Sequence, residues 1–592
     1  MRLTRSAAAT KLPVVETRPD GRIDQMSASD RISYAPVDGA DELFTPEFLD
    51  YVAEAYDRFA PAVRDIRAKR DAMLRRALED REAPTFPPKS DVNSGDWQAP
   101  PLPDDLLRPG IEISGPAAIT NMAINALNPG AEGERAEGYL DDDEDSGGHS
   151  LGDTVRAAIN RRDATLGTLR HHNPERNRTY ELAPGTLPFF MHRERGNHLD
   201  EQDFTIDGQP IPASILGMAL TLAYCGKEQA ERGQGVYFYL PKIEVVEEAR
   251  FARDMFDFSK ERLGYPDGAV IKAVVLVESL PAVYIMDELL WELGPYAGGL
   301  NAARWDLKAS ILEYVMADPE QVWPDRFGVD IKTTDFMANI FRRLVAVCLR
   351  RRAAPIGGMA TALPSRDDEV NEVAAASIRQ DKEWEAAQGF VRAWVAHIFH
   401  MKTAADPFKA VAASGWTPTQ EMRDPASYQV AIHPPDGPIT IAGSRRNARM
   451  LIEYVEGWLQ GRGAKGIDSL EGQPGIHPAL MEDLATGRIS VAQTAQRIIH
   501  SAKDIETGEA HDHALVKRLL QEEVEDIIRI RKAEAADDDA SQAEAAAQAE
   551  RYRKAFKMAM RWVKNYTDLD FRSLGSYTLA DMDRIASEPD AL

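Results

Sequence analysis

Two acidic residues stand where apolar strands give out. Glu278 closes the run "AVVLVE" (273–278), and Asp306 follows a second short run through "GGLNAARWDL" (298–307). They lie 28 positions apart, the span of a helix and the next strand. Parallel neighbours in a sheet sit about 4.8 Å apart, so both carboxylates converge on one point if both runs are strands of one parallel sheet. Convergent carboxylates in an apolar setting repel unless a proton or a cation lies between them. With no sulfur or imidazole nearby the donor set favours a hard cation, and one or two carboxylates with water and substrate is the usual magnesium arrangement. The competing reading is an ion pair for each acid, Asp306 with Arg304. Gly298 and Gly299 let the backbone approach a small ligand closely.

The elements that must carry these acids alternate between strand and helix. Eight short strand-like runs occur between 110 and 400: 111–115, 138–142, 187–193, 236–242, 273–278, 297–301, 355–359 and 390–397. Several are apolar throughout, as a parallel strand covered on both faces requires. Eight strand-then-helix units predict an α/β fold, a closed (β/α)8 TIM barrel with its site at the C-terminal strand ends. An open doubly wound sheet is the alternative. "SLPAVYIMDELLWEL" (279–293) reads as one helix ended by Gly294-Pro295.

Outside the barrel, residues 1–40 lack periodicity and read as a flexible tail. Thr45-Pro46 opens an amphipathic helix, and 41–108 form an N-terminal helical clasp. The barrel then spans 109–405, and 406–592 form an all-helical C-terminal domain. There, "SRRNARMLIEYVEGWLQG" (444–461) reads as a helix capped by Ser444 and stopped by Gly461. The Ala-rich acidic stretch near 533–549 reads as a solvated helix or a loop without chemistry.

The chain has 592 residues and a net charge of −25, from 70 Lys and Arg against 95 Asp and Glu. Such a surface repels phosphate backbones and anionic lipid, so neither nucleic acid nor a membrane is an expected partner. No apolar run is long enough to span a bilayer. An anionic substrate then needs a locally positive site. Cys225 and Cys348 are the only cysteines. They exclude a disulfide scaffold and a thiolate zinc site, and a cytoplasmic location is expected. Monomer and homo-oligomer both stay open.

Beyond spacing, "GGLNAARWDL" resembles the signature of the malate synthases, in particular the shorter A-type enzymes. Further segments agree in order: "IEISGP" (111–116), "DDDEDS" (141–146), "RERGNHL" (193–199), "IDGQPIPAS" (206–214), "YFYLPKIE" (237–244), "KAVVLVESLPA" (272–282), "IGGMATALPSR" (356–366), "WVAH" (394–397) and "LMEDLATGRIS" (480–490). The likeness covers roughly 43–530. It implies a TIM barrel with helical clasp and cap, and an acyltransferase joining acetyl-CoA to glyoxylate with hydrolysis to malate and CoA. A related lyase acting on malyl-CoA without hydrolysis is the alternative.

By motif position, the resemblance implies Glu278 and Asp306 as Mg2+ ligands, Arg193 beside the aldehyde and thioester oxygens, and Asp483 as catalytic base on a loop able to close. Arg304 and Trp305 would join Asp306 around glyoxylate, Trp305 as a packing wall. Gly357, Gly358 and His397 would line the acetyl-CoA channel. The sequence departs from the family pattern at Tyr296, Ala303, Leu307 and Ile398.

Overall fold

The computed structural model describes residues 28–174, 176–331, 333–467, 479–536 and 538–592. Eight parallel strands close into a barrel in chain order: β1 (Gly110–Pro116), β2 (Gly138–Asp142), β3 (Phe189–Arg193), β4 (Val236–Leu240), β5 (Ile271–Val277), β6 (Ala297–Ala302), β7 (Ala354–Ala360) and β8 (Arg392–Val395). The ring shuts where Arg392 to Val395 pair with Gly110 to Ile113. The doubly wound alternative is therefore excluded.

Leu140, Met191, Tyr237, Tyr239, Val274, Leu276, Ile356 and Trp394 fill the barrel interior. Among them lies a wholly buried ion pair, Glu112 with Arg392. Tyr239 Oη donates to Glu112 at 2.7 Å and Trp394 Nε1 at 3.1 Å, so the charge is surrounded by donors. Gly298 and Gly299 let the neighbouring strands pack closely. A Cβ on Gly299 would stand 2.1 Å from the Ala354 carbonyl oxygen, and one on Gly298 would stand 2.9 Å from that of Ala273. Both β5 and β7 thus approach β6 closely because it lacks side chains there.

Several elements differ from the sequence reading. Residues 279–293 form two helices, Leu280–Tyr284 and Met286–Leu293, parted at Ile285. The region read as a flexible tail is ordered from Ala28: Ile32–Tyr34 pairs antiparallel with Asp200–Ile206. Residues 1–27 of that tail lie outside the described residues. The clasp helix α1 (Pro46–Glu79) begins at Thr45, whose Oγ1 accepts from Phe48 N at 3.3 Å. Its Phe48, Leu49, Val52, Phe59, Val63 and Ile66 are buried.

The C-terminal part is not wholly helical. An antiparallel pair, Lys465–Ile467 with Leu480–Glu482, interrupts it. The helix read from Ser444 starts one turn earlier, as α2 (Ile441–Leu459), capped by Thr440, while Ser444 is buried inside it against His511 and Arg497. Gly461 takes φ +73° just past that helix's end. Then follow α3 (Leu484–Ile499), α4 (His513–Glu534) and α5 (Asp539–Thr567). The Ala-rich stretch enters α5 and is only partly solvated, with Ala545 and Ala549 buried.

Gly299→Ala should destabilise the fold by about 1–3 kcal/mol or more, since the new methyl meets backbone and not a movable side chain. Denaturant unfolding of the variant against the parent reads this directly; equal midpoints would refute the packing account.

Candidate active site at the barrel rim

The site is assembled by strand register. Asp142 pairs with Arg193 across β2 and β3, and Val277 with Ala302 across β5 and β6. Side chains alternate along each strand, so Asp141 and His192 contact each other at 2.8 Å on one face while Asp142 and Arg193 meet on the other. Arg193 grips Asp142 with two bonds, Nε to Oδ1 at 2.7 Å and Nη2 to Oδ2 at 2.5 Å, and its Nη1 reaches Asp145 Oδ2 at 3.1 Å. Its guanidinium lies 5.5 Å from the Trp394 ring centroid.

Glu278 follows the last residue of β5, and Asp306 sits in the first turn of the helix Arg304–Tyr314. One carboxylate oxygen each from Asp145, Glu278 and Asp306 lies within 4.8 Å of the others, and all three residues are buried. Lys242 projects into this group, its Nζ at 2.9 Å from Glu144, 3.1 Å from Asp145, 3.0 Å from Asp306 and 3.5 Å from Glu278. An ammonium thus already stands among oxygens whose spacing and hardness fit a divalent cation. Arg488 of α3 adds a second cation, Nη1 to Asp306 Oδ1 at 3.1 Å. The ion pairs of Asp306 are therefore with Lys242 and Arg488, not with Arg304.

Burial dominates the proton affinities here. It pushes Glu278 up to about 8, with Asp306 and Asp145 adding to the rise against the pull of Lys242. Burial acts on Asp145 too, but Lys242 and Arg193 outweigh it and hold that carboxyl well below the usual range. Glu278 Oε2 and Glu144 Oε1 are buried without a hydrogen-bond partner among the described residues.

Asp483 approaches from the cap. It is the N-cap of α3, accepting from Thr486 N, and not part of an open loop. The segment before it is fixed by backbone bonds to the exit of β7: Met481 N donates to Thr361 O and Leu363 N to Ala479 O, both at 2.8 Å. The glycine-rich connection lies at 468–478, outside the described residues. Burial, then Asp145 and Asp306, push the Asp483 carboxyl well above the ordinary range. Asp483, Arg193, Asp142 and Ser146 line one cavity of about 240 Å3, walled on its apolar side by Ile119, Met359 and Ala396.

Other expected residues sit elsewhere. Arg304 points to Asp330, Asp381 and Glu385 at 3.5–3.6 Å. Trp305 packs under Lys308, whose Nζ is 4.5 Å from its ring centroid. Gly357 and Gly358 face Glu385: a Cβ on Gly357 would meet it at 2.4 Å, and Gly358 N donates to it at 3.1 Å. His397 Nδ1 accepts from Phe399 N at 3.1 Å, capping a short helical turn. Like Glu278 and Asp306, none of these five is among the described residues that line that cavity. Conversely, Asp145, Lys242 and Arg488 were not singled out from sequence, although each lies in a motif quoted above.

A closed barrel with its acids and arginine gathered at the C-terminal strand ends defines a (β/α)8 enzyme. A malate synthase TIM-barrel domain model matches residues 189–430, and a malate synthase C-terminal domain model matches 438–578. Malate synthase of Myxococcus xanthus is 36% identical over 487 residues, covering 82% of this chain and 86% of that one. Malate synthase A of Escherichia coli is 32% identical over 507 residues, covering 85% and 91% respectively. Among solved structures, the Haloferax volcanii malate synthase magnesium/glyoxylate complex matches with a TM-score of 0.38 at 12% identity, covering 75% of this chain and 98% of that one. The chain belongs to the malate synthase family.

The Glu278 shift has a stability consequence. Its carboxyl holds a proton in the folded state up to about pH 8 but loses it near the ordinary value of 4.5 once unfolded. The folded state therefore binds more protons across that window, and stability falls as pH rises through it. Without divalent cation, Glu278→Gln should gain melting temperature relative to the parent as pH rises from 5 to about 8. A pH-independent difference would contradict this.

Proposed function

We propose that this protein condenses acetyl-CoA with glyoxylate and hydrolyses the malyl-CoA formed, releasing malate and CoA. The observation that carries the reading is the shared cavity of Arg193 and Asp483, with Arg193 also touching Asp145 of the acid trio. Proton donor and acceptor chemistry thus meets a cation-binding corner at one place.

Asp145, Glu278 and Asp306 would hold Mg2+, which supplies Lewis acidity toward a carbonyl and a template for a carboxylate when bound. The remaining work falls to side chains of this chain. Asp483 takes a proton from the methyl carbon of the thioester; its desolvated carboxylate is a stronger base than one in water. Arg193 keeps its proton at all accessible pH, so its guanidinium can stabilise the enolate oxygen without itself being deprotonated. Asp142 fixes that guanidinium through two bonds, which sets the direction of the remaining N–H groups. Ile119, Met359 and Ala396 keep the cavity wall apolar, limiting competing water at the carbanion.

The lyase alternative, without hydrolysis, is less favoured because matches to malate synthases span both barrel and cap. For location, the cytoplasm fits Cys225 and Cys348 as buried free thiols. No helix among the described residues is long and apolar enough to cross a membrane.

With acetyl-CoA, glyoxylate and Mg2+, the protein should release free thiol and form malate; intact malyl-CoA accumulating by mass spectrometry would favour the lyase. Asp483→Asn should lower kcat by about 10²-fold or more. Glyoxylate binding measured by calorimetry should survive in that variant, and its loss would mean that Asp483 is a ligand and not the base.

A further inference from the structure

The acid trio is flanked by a second cavity that shares no described wall residue with the one holding Arg193 and Asp483. It measures about 360 Å3 and lies where the clasp helix, the barrel rim and the helical cap meet. Arg67 and Arg70 come from α1, His198 and Lys242 from the segments after β3 and β4, Arg488 from α3, and Arg572 from the segment after α5. Five cationic side chains and three carboxylates, Asp71, Glu244 and Glu313, line it, and acids behind the wall also pair with the cations: Asp200 with Arg67, Glu248 with Arg70, Asp145 with Lys242 and Asp306 with both Lys242 and Arg488.

Two of the lining acids are already engaged. Glu313 accepts from Arg488 at 2.8 Å and from Tyr566 at 2.8 Å, and Glu244 from Arg70 and Tyr314, each at 2.9 Å. The cations form a graded path inward: side-chain exposure falls from 54% at Arg572 through 17% at Arg488 to 7% at Lys242. The two innermost both touch Asp306, at 3.1 and 3.0 Å, so the floor of this cavity is the back of the acid trio.

His198 stands within reach of the same cations. Its Nδ1 is buried without a hydrogen-bond partner among the described residues. Burial, then Arg70, Lys242, Arg488 and Arg67, hold its proton affinity well below the ordinary value. A buried imidazole among three guanidinium groups and an ammonium marks a place of positive potential that an anion would relieve.

We propose that this cavity is a cationic port for the small carboxylate reactant, admitting glyoxylate and releasing malate, while the Arg193–Asp483 cavity is left to the acyl thioester. The inference rests on the function proposed above. Separate entry has a physical advantage: a long thioester seated in its own cavity would not block exchange of the small anion.

Arg572→Glu, at the exposed mouth, tests the port by charge, and Ser576→Trp tests it by bulk. At low ionic strength Arg572→Glu should lower kcat/KM for glyoxylate about tenfold, with KM for acetyl-CoA changed by less than about twofold. The deficit should shrink toward 1 M salt, where the screening length is about 3 Å. Ser576→Trp should lower kcat/KM for glyoxylate at every ionic strength. If Ser576→Trp does not fold, as judged by its melting transition, the salt series on Arg572→Glu decides alone. An effect on acetyl-CoA in place of glyoxylate would overturn the proposal by assigning the cavity to the phosphates of CoA. No effect on either substrate would overturn it too. A parent protein without turnover refutes the enzymatic reading itself, whereas an active parent with an indifferent Arg572→Glu refutes only the port.

Discussion

Mutual repulsion among buried carboxylates is the constraint around which this molecule is arranged. Asp142, Glu144, Asp145, Glu278 and Asp306 are all buried at one rim of the barrel. Removing charges from water costs several kcal/mol each unless partners compensate. Arg193, Lys242 and Arg488 supply that compensation from three different segments, and each contacts at least two acids. Without such cations the strand ends could not come together, and with fewer acids no corner would be left for a divalent ion.

The same requirement explains why elements remote in sequence press on this rim. The clasp helix sends Arg67 to the Asn197 and Leu199 carbonyls and Arg70 to that of Lys242, so it braces the segments after β3 and β4. The cap contributes Arg488 and Asp483 from one helix, five positions apart. Lys242 itself is held at φ +54°, a conformation uncommon outside glycine, turning its side chain at the end of β4. Such strain belongs where the surroundings over-determine the backbone, and the braces around Lys242 provide that.

Much of this was legible from residue order. The barrel strands announce themselves because a strand covered on both faces must be apolar throughout, and the spacing of Glu278 and Asp306 matches one strand–helix unit. What spacing cannot encode is which side chains meet across the barrel, so nothing within their motifs marks Asp145 and Lys242 as partners. The absent Arg304–Asp306 ion pair has a different origin. Arg304 lies two residues before Asp306 on a helix, and at 3.6 residues per turn those two side chains point about 200° apart. A shared motif therefore sends one to the acid trio and the other to Asp381 and Glu385. Ser444 mimics a cap because it falls one turn after Thr440, in helical phase with it.

The tether between the β7 exit and the segment leading to Asp483 is made of main-chain groups, Met481 N to Thr361 O and Leu363 N to Ala479 O. Proline apart, which lacks the N–H, amino-acid replacement leaves backbone amides and carbonyls in place. Side chains along the barrel–cap seam can drift in evolution without dislodging this anchor, so the cap's surface is open to diversification while the aspartate keeps its address.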